Sequence, residues 1–349
     1  FDKENIILVK AAHPSFIADL PWVCGGCSGE WGFSEGSQPM GIFRPVSLVI
    51  TNDVRIQPFG VHIWNDKSVS KQKAILHTTT EIKNYGTSQR NLTIENILLD
   101  DSGKKVVITK SDNKINSGET KEIAQTLPEI QNPKLWSPSN PYLYKLVTSV
   151  YENGKIIDQL TTPYGIRWVS WPVSRDGKDN RFFINDEPVF INGVCEYEHL
   201  IGKSHSFSDE MIHSRIEQIK AGGFNAFREA HQPHNLLYQK ELDENGILFW
   251  SQFSAHIWYD TPEFKENFKT LLREWIKERR NSPSVVMWGL QNESTIPKEF
   301  AEECTKIIRE MDPLSEKQRI VTTCNGGEGT DWNVVQNWSG TYGGDPLKY

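Results

Sequence analysis

Features that would place the protein at a membrane or on nucleic acid are missing from the sequence. No apolar run reaches the roughly 18 residues that a membrane-spanning helix needs, and the apolar stretch at the start is too short for a secretory signal. Lysine and arginine do not cluster, and 38 basic against 45 acidic residues give a formal net charge of −7. Phosphate backbones attract clustered positive charge. We therefore expect a soluble protein that binds neither membranes nor nucleic acid.

Cysteine is also scarce. The chain has five cysteines in 349 residues, an odd number in a chain too long to depend on a disulfide framework. Cys24 and Cys27 have the spacing of a redox motif, but the glycines around them predict a loop where that motif requires a strand and a helix start. We favour a structural loop and leave open whether the two cysteines are bonded. No second ligand pair follows at zinc-site spacing, so no metal site is predicted.

The sequence begins with Phe1 and not with methionine. We expect a processed product or a segment of a longer gene product, so that a targeting signal would be out of view. The compartment is left open, with a periplasmic or secreted location favoured over the cytoplasm. The sequence also leaves open whether the chain forms a homo-oligomer.

Short alternating runs dominate the first half of the chain. Between residues 55 and 165 about seven apolar-polar segments recur at intervals of about ten residues, separated by turns such as Asn-Tyr-Gly, Asp-Ser-Gly and Glu-Asn-Gly. This spacing predicts an antiparallel, immunoglobulin-like β-sandwich. Residues 1–53 are rich in glycine, proline and tryptophan and contain few strands, which suggests an incomplete domain.

From residue 182 the pattern changes to alternating strands and helices. A strand is predicted at 188–194, a helix from Ser208 as N-cap to Gly222, and four more strands with helices between them up to Cys324. A sixth strand is predicted within 334–338. Regular alternation of buried strands with helices indicates a parallel sheet of the (β/α) barrel type.

Polar side chains follow each predicted strand, at the ends that converge on one mouth in such a barrel. The stretch SVVMWGLQNES is the clearest case, because a buried strand leads directly to Asn292 and Glu293. A carboxylate among cationic and amide groups, in a cleft with tryptophans, suits glycoside hydrolysis. The candidates are Glu196, Glu198 and His199 after the first strand, Arg228, Glu229 and His231 after the second, Gln252 and His256 after the third, Asn292 and Glu293 after the fourth, and Asn337 and Trp338 after the sixth.

Six segments carry a resemblance to a known family. They are GIFRPVSLVIT (41–51), LWSPSNPYLYKL (135–146), YGIRWV (164–169), FINGVCEYEH (190–199), GFNAFREAHQPH (223–234) and NSPSVVMWGLQNES (281–294). In this order they resemble glycoside hydrolase family 2, which includes β-galactosidases, β-glucuronidases and β-mannosidases.

The resemblance implies three domains. Residues 1–53 would be the end of a sugar-binding, jelly-roll-like domain, 54–166 an immunoglobulin-like sandwich, and 167–349 the first part of a TIM-barrel catalytic domain. It also implies that Glu293 is the general acid/base, that Asn292 binds the sugar 2-hydroxyl, and that Arg228 orients the nucleophile. His231 would contact the sugar or the transition state. His199 and Trp338 are further substrate-binding candidates, each with core packing as its structural alternative.

Two departures from the family pattern are important. The family nucleophile is a glutamate after the seventh barrel strand, which we expect beyond residue 349, because neither Glu328 nor Asp345 follows a buried strand. Cys195 also stands where the family usually has asparagine, and LFWSQF replaces a common Asp-Glu pair after strand three. These changes put substrate contacts and any metal site near Glu293 in question. No cofactor is expected to be required, and a Mg²⁺ or Na⁺ ion near the site is an alternative that no residue pattern supports.

The sequence thus predicts a retaining β-glycosidase that acts on a terminal β-linked hexopyranoside, with β-galactosidase-like specificity favoured. The partner would be a carbohydrate. The rival hypothesis is a carbohydrate-binding protein that has kept the fold and lost catalysis. The combination of Asn292 and Glu293 with Arg228 and His231 argues against that rival, because a non-catalytic protein does not require all four.

Overall fold

The fold was analysed in a computed structural model, which describes residues 6–10, 42, 44–172, 179–198, 206–254, 261–293, 296–316 and 318–334. Most of residues 1–53 therefore lies outside the described part. So do Cys24, Cys27, His199, His256, Asn337, Trp338 and Asp345. Of the helices within the described part, none is both long and apolar enough to cross a membrane.

The first half of the chain forms a two-sheet β-sandwich. One sheet has three strands and the other has four, which confirms the seven principal strands that the sequence predicts. The strands are β1 (Val54–Asn65), β2 (Lys73–Ala74), β3 (Leu76–Asn84), β4 (Arg90–Leu99), β5 (Lys105–Ile115), β6 (Thr120–Thr126), β7 (Ile130–Gln131), β8 (Trp136–Ser137), β9 (Asn140–Pro141), β10 (Tyr144–Glu152) and β11 (Lys155–Tyr164).

The sheet orders are β1-β3-β6 and β11-β10-β4-β5. All pairs within them are antiparallel. Alternate residues such as Ile82, Ile94 and Leu146 face the space between the sheets and are wholly buried, which is the period-2 pattern of a strand with one buried face. The predicted immunoglobulin-like sandwich is confirmed.

A small hairpin sheet separates the sandwich from the second domain. It contains β12 (Val169–Ser170), β13 (Phe182–Ile184) and β14 (Glu187–Val189), in that order. Asn185 and Asp186 both have positive φ, 53° and 66°, as a two-residue type I′ turn requires. The strand predicted at 188–194 is therefore wrong in extent: Val189 ends this hairpin, and the parallel sheet begins at Gly193.

The second domain is a parallel sheet covered by helices, as expected for part of a TIM barrel. Its sheet has the order β15-β16-β17-β18-β19-β20, and every neighbouring pair is parallel. The elements are β15 (Gly193–Tyr197), α1 (Asp209–Ala221), β16 (Ala226–Ala230), α2 (Leu236–Asn245), β17 (Leu248–Gln252), α3 (Pro262–Arg279), β18 (Val285–Asn292), α4 (Lys298–Met311), a 3₁₀ turn (Pro313–Glu316), β19 (Ile320–Cys324) and β20 (Trp332–Val334).

Local signals explain where the helices begin. Ser208 accepts a hydrogen bond from the Met211 amide, as an N-cap side chain does, and Thr261 caps α3 in the same way through the Phe264 amide. The helices then bury their apolar faces on the sheet. Trp288 of β18 is wholly buried and meets Trp275 of α3 edge to face, with 4.7 Å between the ring centroids. Trp288 is therefore part of the core between the sheet and α3.

The sandwich and the barrel are joined by buried polar contacts. The Asn281 amide donates to the Val61 carbonyl at 2.7 Å and accepts from the Ile63 amide at 2.9 Å, so it pairs with the edge of β1 like an extra strand residue. Arg167 donates to the carbonyls of Pro283 (2.7 Å) and Val285 (2.6 Å). Because these side chains bond to backbone groups of the neighbouring domain, they hold the two domains in a defined arrangement.

Candidate active site

Arg228 links three barrel strands at the carboxyl ends of the parallel sheet, because its side chain bonds to residues of two neighbouring strands. Its Nη2 donates to Asn292 Oδ1 at 2.6 Å and to Gln252 Oε1 at 3.3 Å. Arg228 lies in β16, Gln252 ends β17 and Asn292 ends β18. The convergence expected from the strand pattern therefore exists in the structure for these three residues.

The Arg228 guanidinium is held over an aromatic ring. Its Cζ lies 4.3 Å from the centroid of the Trp250 ring, and Nη1 is 3.9 Å from Cys195 Sγ. A guanidinium stacked on an indole gains a cation–π contact and loses conformational freedom. The geometry of Arg228 is thus fixed by Trp250 below and by two amide oxygens at its edge.

A glycine and a register shift in β18 make this arrangement possible. A Cβ atom at Gly289 would lie 2.5 Å from Trp250 Nε1 and 2.7 Å from Gln252 Oε1, so any other residue would displace the groups that hold Arg228. Simple alternation from Gly289 would turn Asn292 towards the helices. The pairing with β19 shifts register between Gly289 and Gln291, and such a bulge re-aims the side chains beyond it. Asn292 consequently faces Arg228.

Glu293 directly follows Asn292, at the end of the fourth parallel strand. Its backbone amide donates to the Cys324 carbonyl of β19 at 2.8 Å, and the side chain is half-buried. Its φ of 46° lies in the left-handed region, which costs a residue with a Cβ atom about 1 kcal/mol. Backbone strain of this kind collects where a side chain must be held in a particular direction.

His231 follows β16 and contacts a neighbouring tyrosine. The Tyr197 hydroxyl lies 3.2 Å from His231 Nε2, and the two rings meet edge to face at 5.2 Å. Tyr197 ends β15, and it pairs with Ala230, the residue before His231. This pair extends the row of polar groups along the ends of β15, β16, β17 and β18.

Two glutamates that the sequence pattern places near the mouth are engaged elsewhere. Glu196 pairs with Arg215 Nη1 at 2.7 Å, on the side covered by α1. Glu198 is buried, pairs with Arg44, and accepts a hydrogen bond from the Asn235 amide at 3.1 Å. Burial raises the pKa of both carboxyls, and the paired arginines oppose that effect.

Glu229 is a buried carboxyl beneath the mouth, and it does not pair with Arg228. It accepts hydrogen bonds from the Ser251 hydroxyl (2.6 Å), the Gln252 amide (3.0 Å) and the His234 amide (2.9 Å). Burial raises its pKa from 4.5 to about 7, against the opposing effects of Arg279 and these donors. Glu229 thereby connects the backbone of β17, which presents Gln252 to Arg228, to the segment after His231.

The raised pKa of Glu229 predicts a pH-dependent stability. Because its pKa is higher in the folded chain than in the unfolded chain, its stabilising effect is complete below about pH 4.5 and is lost as the pH rises to about 7. A shift of this size corresponds to about 3 kcal/mol. When the pH is raised from 4.5 to 7.5, we expect Glu229→Gln to lose less stability than the unsubstituted chain, measured as the change in the urea midpoint of unfolding.

An exposed glutamate provides the control for this measurement. Glu244 of α2 is exposed and pairs only at the surface with Lys240, so Glu244→Gln should leave the pH dependence unchanged. Asp243, whose pKa burial raises to about 6, and His62, whose pKa burial lowers, act in opposite directions and contribute equally in the unsubstituted chain and in both variants. The prediction would be contradicted if the urea midpoint of Glu229→Gln changed between pH 4.5 and 7.5 by the same amount as that of the unsubstituted chain.

The remaining predicted site residues cannot be placed. His199 and Trp338, with His256 and Asn337, lie outside the described residues. Conversely, Trp250 and Tyr197 contribute to the site but were not predicted. Trp250 lies two residues before Gln252, and residues at i and i+2 of a strand share a face, so this spacing was the available signal.

The described residues give no support to a metal site. Within those ranges, no three His, Cys, Asp or Glu side chains come together as metal ligands. Among the described residues, Cys195 is a free thiol. That catalysis requires no cofactor remains a prediction.

Comparison with known proteins agrees with this architecture. A model of "Glycosyl hydrolases family 2" matches residues 54–167, and a model of "Glycosyl hydrolases family 2, TIM barrel domain" matches residues 176–342. The first range contains the sandwich, and the second contains the parallel sheet with the Arg228 and Asn292 cluster.

Individual relatives point the same way. A β-glucuronidase from Bacteroides fragilis is 26% identical over 98% of this chain and 50% of its own length. A β-galactosidase from Bacteroides ovatus is 30% identical over 72% of this chain and 30% of its own length. Among solved structures, a β-glycosidase from Bacteroides vulgatus matches 84% of this chain and 36% of its own, with 26% identity and a TM-score of 0.70.

The chain spans between a quarter and a half of the length of the first curated relatives that it matches. The two family models nevertheless cover consecutive domains in the order that the structure shows. The sandwich, the parallel barrel sheet and these matches together show that the chain belongs to family 2 of the glycosyl hydrolases.

Proposed function

We propose that this protein is a retaining β-glycosidase with Glu293 as its general acid/base. The observation that carries the proposal is the 2.6 Å hydrogen bond between Arg228 and Asn292. This bond supports the proposal because it joins the end of β16 to Asn292, the residue before Glu293. A pyranoside at these strand ends would meet a carboxyl, an amide and an imidazole. In a retaining mechanism such a carboxyl protonates the leaving oxygen and later removes a proton from the attacking water.

Asn292 and Arg228 have separate roles in this mechanism. The amide of Asn292 binds the sugar 2-hydroxyl, where hydrogen bonds strengthen as the oxocarbenium-like transition state forms. Arg228 fixes the orientation of that amide through Oδ1, and Gln252 and Trp250 fix Arg228 in turn. Preorganisation of this kind removes the need to reorient dipoles during the reaction.

The second carboxylate of the retaining pair is proposed to lie outside residues 1–349. A retaining mechanism needs two carboxyl groups about 5 to 5.5 Å apart. Glu196 and Glu198 are paired with arginines, and Glu229 is buried beneath the mouth with three donors. Glu328 is 79% exposed and pairs with Lys298. The contacts of these four glutamates do not direct a carboxylate towards a sugar beside Glu293.

The substrate is proposed to be a neutral β-hexopyranoside, with a β-galactoside favoured. A glucuronide carries a carboxylate that requires a cationic partner. Within the described part of the mouth, the cationic side chain is that of Arg228. Its guanidinium is already bonded to Asn292 and Gln252, which disfavours its use as the partner of a substrate carboxylate. A β-glucuronide is the second candidate, because several similar proteins, including the B. fragilis relative, are named β-glucuronidases.

A substrate panel tests both parts of the proposal. The protein, extended through the proposed second carboxylate, is assayed with 4-nitrophenyl β-D-galactoside, β-D-glucuronide and β-D-mannoside. NMR then identifies the anomer released first. We expect the galactoside to react fastest and to give the β-anomer. First release of the α-anomer would contradict retention, and a faster glucuronide would contradict only the choice of sugar.

A further inference from the structure

A buried carboxyl behind the mouth links the barrel to the segment that precedes the sandwich. Glu198 directly follows β15, and its side chain is 1% exposed. Its Oε1 accepts a hydrogen bond from the Asn235 amide at 3.1 Å, and its Oε2 accepts one from Nη2 of Arg44. Arg44 lies 154 residues earlier in the chain, before the first strand of the sandwich. Glycoside hydrolysis itself requires neither residue of this pair, so their contact calls for another explanation.

The pleat of β15 directs Tyr197 towards the mouth and Glu198 away from it. Cys195 reaches Arg228 on the inner face of the sheet, with 3.9 Å between its Sγ and Nη1. Residues at i and i+2 of a strand share a face, and the residue after them points to the opposite face. Tyr197 therefore faces the mouth with Cys195. Glu198 faces the beginning of α2, where the Asn235 amide meets it.

Tyr197 is the first of two groups at the mouth whose position depends on Glu198. It immediately precedes Glu198 in the chain, and its hydroxyl lies 3.2 Å from His231 Nε2. The two rings meet edge to face, with 5.2 Å between their centroids. A displacement of the Glu198 carboxyl would therefore move Tyr197 through one peptide unit, and the Tyr197 ring would move His231.

His231 is the second group, because the loop that carries it is held by the same carboxyl. This loop runs from His231 to Asn235, the N-cap of α2, whose side chain accepts a hydrogen bond from the Leu237 amide at 3.0 Å. The bond from the Asn235 amide to Glu198 fixes the end of the loop. Glu198 thus constrains His231 from two sides, through the loop and through Tyr197.

A second buried carboxyl holds the same loop from within the barrel. Glu229 accepts a hydrogen bond from the His234 amide at 2.9 Å. A cation of the barrel, Arg279 of α3, lies 3.8 Å from this carboxyl. Glu198 differs from Glu229 in the origin of its cation, because Arg44 belongs to a segment outside the barrel. The position of the loop therefore depends on that segment as well as on the barrel.

Arg44 provides the charge that the buried carboxyl of Glu198 requires. Burial raises the pKa of this carboxyl, and the hydrogen bond and positive charge of Arg44 oppose that effect, with smaller contributions from the Asn235 amide and Arg279. A buried carboxylate that loses its paired cation takes up a proton or moves towards water. Either change alters the acceptor that holds the Asn235 amide. Removal of Arg44 should therefore be felt at the loop.

We propose that Arg44 is a positioning residue for the glycosidase site, and that it acts through Glu198 on Tyr197 and His231. The segment before the sandwich thereby completes the mouth, although the groups proposed to react with the sugar belong to the barrel. The effect on catalysis rests on the proposed function, in which His231 contacts the sugar. The link from Arg44 to His231 is a property of the fold and does not require a reaction.

The kinetics of Arg44→Met, in the protein extended through the proposed second carboxylate, test this role. On the 4-nitrophenyl β-glycoside that reacts fastest, we expect kcat to fall about 10- to 100-fold, because a small misplacement of a group at the reacting sugar is costly. KM should change by less than about threefold, since the loss concerns the transition state. Arg44→Lys should recover part of kcat, because an ammonium group restores the charge without the planar geometry. Equal losses of kcat in the two variants would contradict a role for the charge.

A double-mutant cycle tests whether Arg44 acts through Glu198. Glu198→Gln keeps an oxygen acceptor for the Asn235 amide and carries no charge, so that Arg44→Met should have no further effect on kcat in that background. Losses that multiply in the double variant would overturn the proposal. Arg90→Met is the matched control, because Arg90 is 32% exposed and pairs with Glu152 at 3.2 Å within the sandwich. This control should leave kcat unchanged.

NMR of the 349-residue chain separates this inference from the catalytic proposal. Histidines labelled with ¹³C at Cε1 report the imidazoles, and His231→Gln assigns the signal of His231. This signal should shift in Arg44→Met and stay in place in Arg90→Met. A smaller shift in Arg44→Lys serves as the comparison if Arg44→Met does not fold. An unchanged His231 signal in the folded Arg44 variants would overturn the proposal. A shift, together with an extended protein that hydrolyses no glycoside, would contradict the catalytic proposal and leave the link from Arg44 to His231 standing.

Discussion

Replacing Glu293 with glutamine is expected to reduce hydrolysis of β-glycosides with poor leaving groups by about 10²- to 10⁴-fold, the usual contribution of a general acid. Alkyl glycosides and oligosaccharides need protonation of the departing oxygen, and glutamine cannot supply that proton. Activated aryl glycosides need little protonation, so their glycosylation step should be slowed far less. The assay compares kcat/KM on the two substrate types, using the protein extended through the proposed second carboxylate.

The substitution does not involve two of the contacts that hold the site together. The Glu293 backbone bonds to Cys324 through its amide, and Arg228 bonds to Asn292 and not to the residue replaced. Glu299→Gln, at an exposed position in α4, is the matched control and should leave both rates unchanged. Equal losses on both substrate types would show that Glu293 acts through geometry and not as an acid.

The strand and helix pattern predicted the site as far as pattern can. Parallel strands bring their carboxyl ends to one edge, and so residues that follow different strands, such as Arg228 and Asn292, were expected to meet. The sequence also predicted Ser208 as an N-cap, because a capping side chain bonds a backbone amide only three residues further along the chain, here that of Met211. Predictions of this type depend on local geometry or on one topological rule.

Features set by long-range packing were not predictable in the same way. The strand predicted at 188–194 fails because apolar residues of a hairpin and of a buried strand look alike in sequence. The register shift in β18 depends on how Gly289 packs against Trp250 and Gln252. Trp64 and Gln318 line one cavity only because the two domains meet, and no periodicity records that contact.

The 349-residue chain on its own is expected to show no turnover of 4-nitrophenyl β-glycosides. Leaving-group activation makes the acid dispensable, but the anomeric carbon still requires a carboxylate nucleophile. Glu196, Glu198 and Glu229 are each held by cations or backbone donors away from the mouth, and Glu328 is exposed at the surface.

The comparison that decides this point is between the 349-residue chain and the same chain with Glu293→Gln, assayed at equal concentration for nitrophenolate release. Both should give the uncatalysed rate, because the glycosidic bond is not displaced without a nucleophile, whether or not Glu293 is present to protonate the leaving oxygen. Turnover with retention by the unsubstituted chain would show that a carboxylate within these residues attacks the sugar. Glu198 would then be the first to replace, since it directly follows Tyr197, which ends β15 and contacts His231. Loss of nitrophenolate release in Glu198→Gln, with folding intact, would identify Glu198 as the nucleophile and remove the need for a second carboxylate elsewhere.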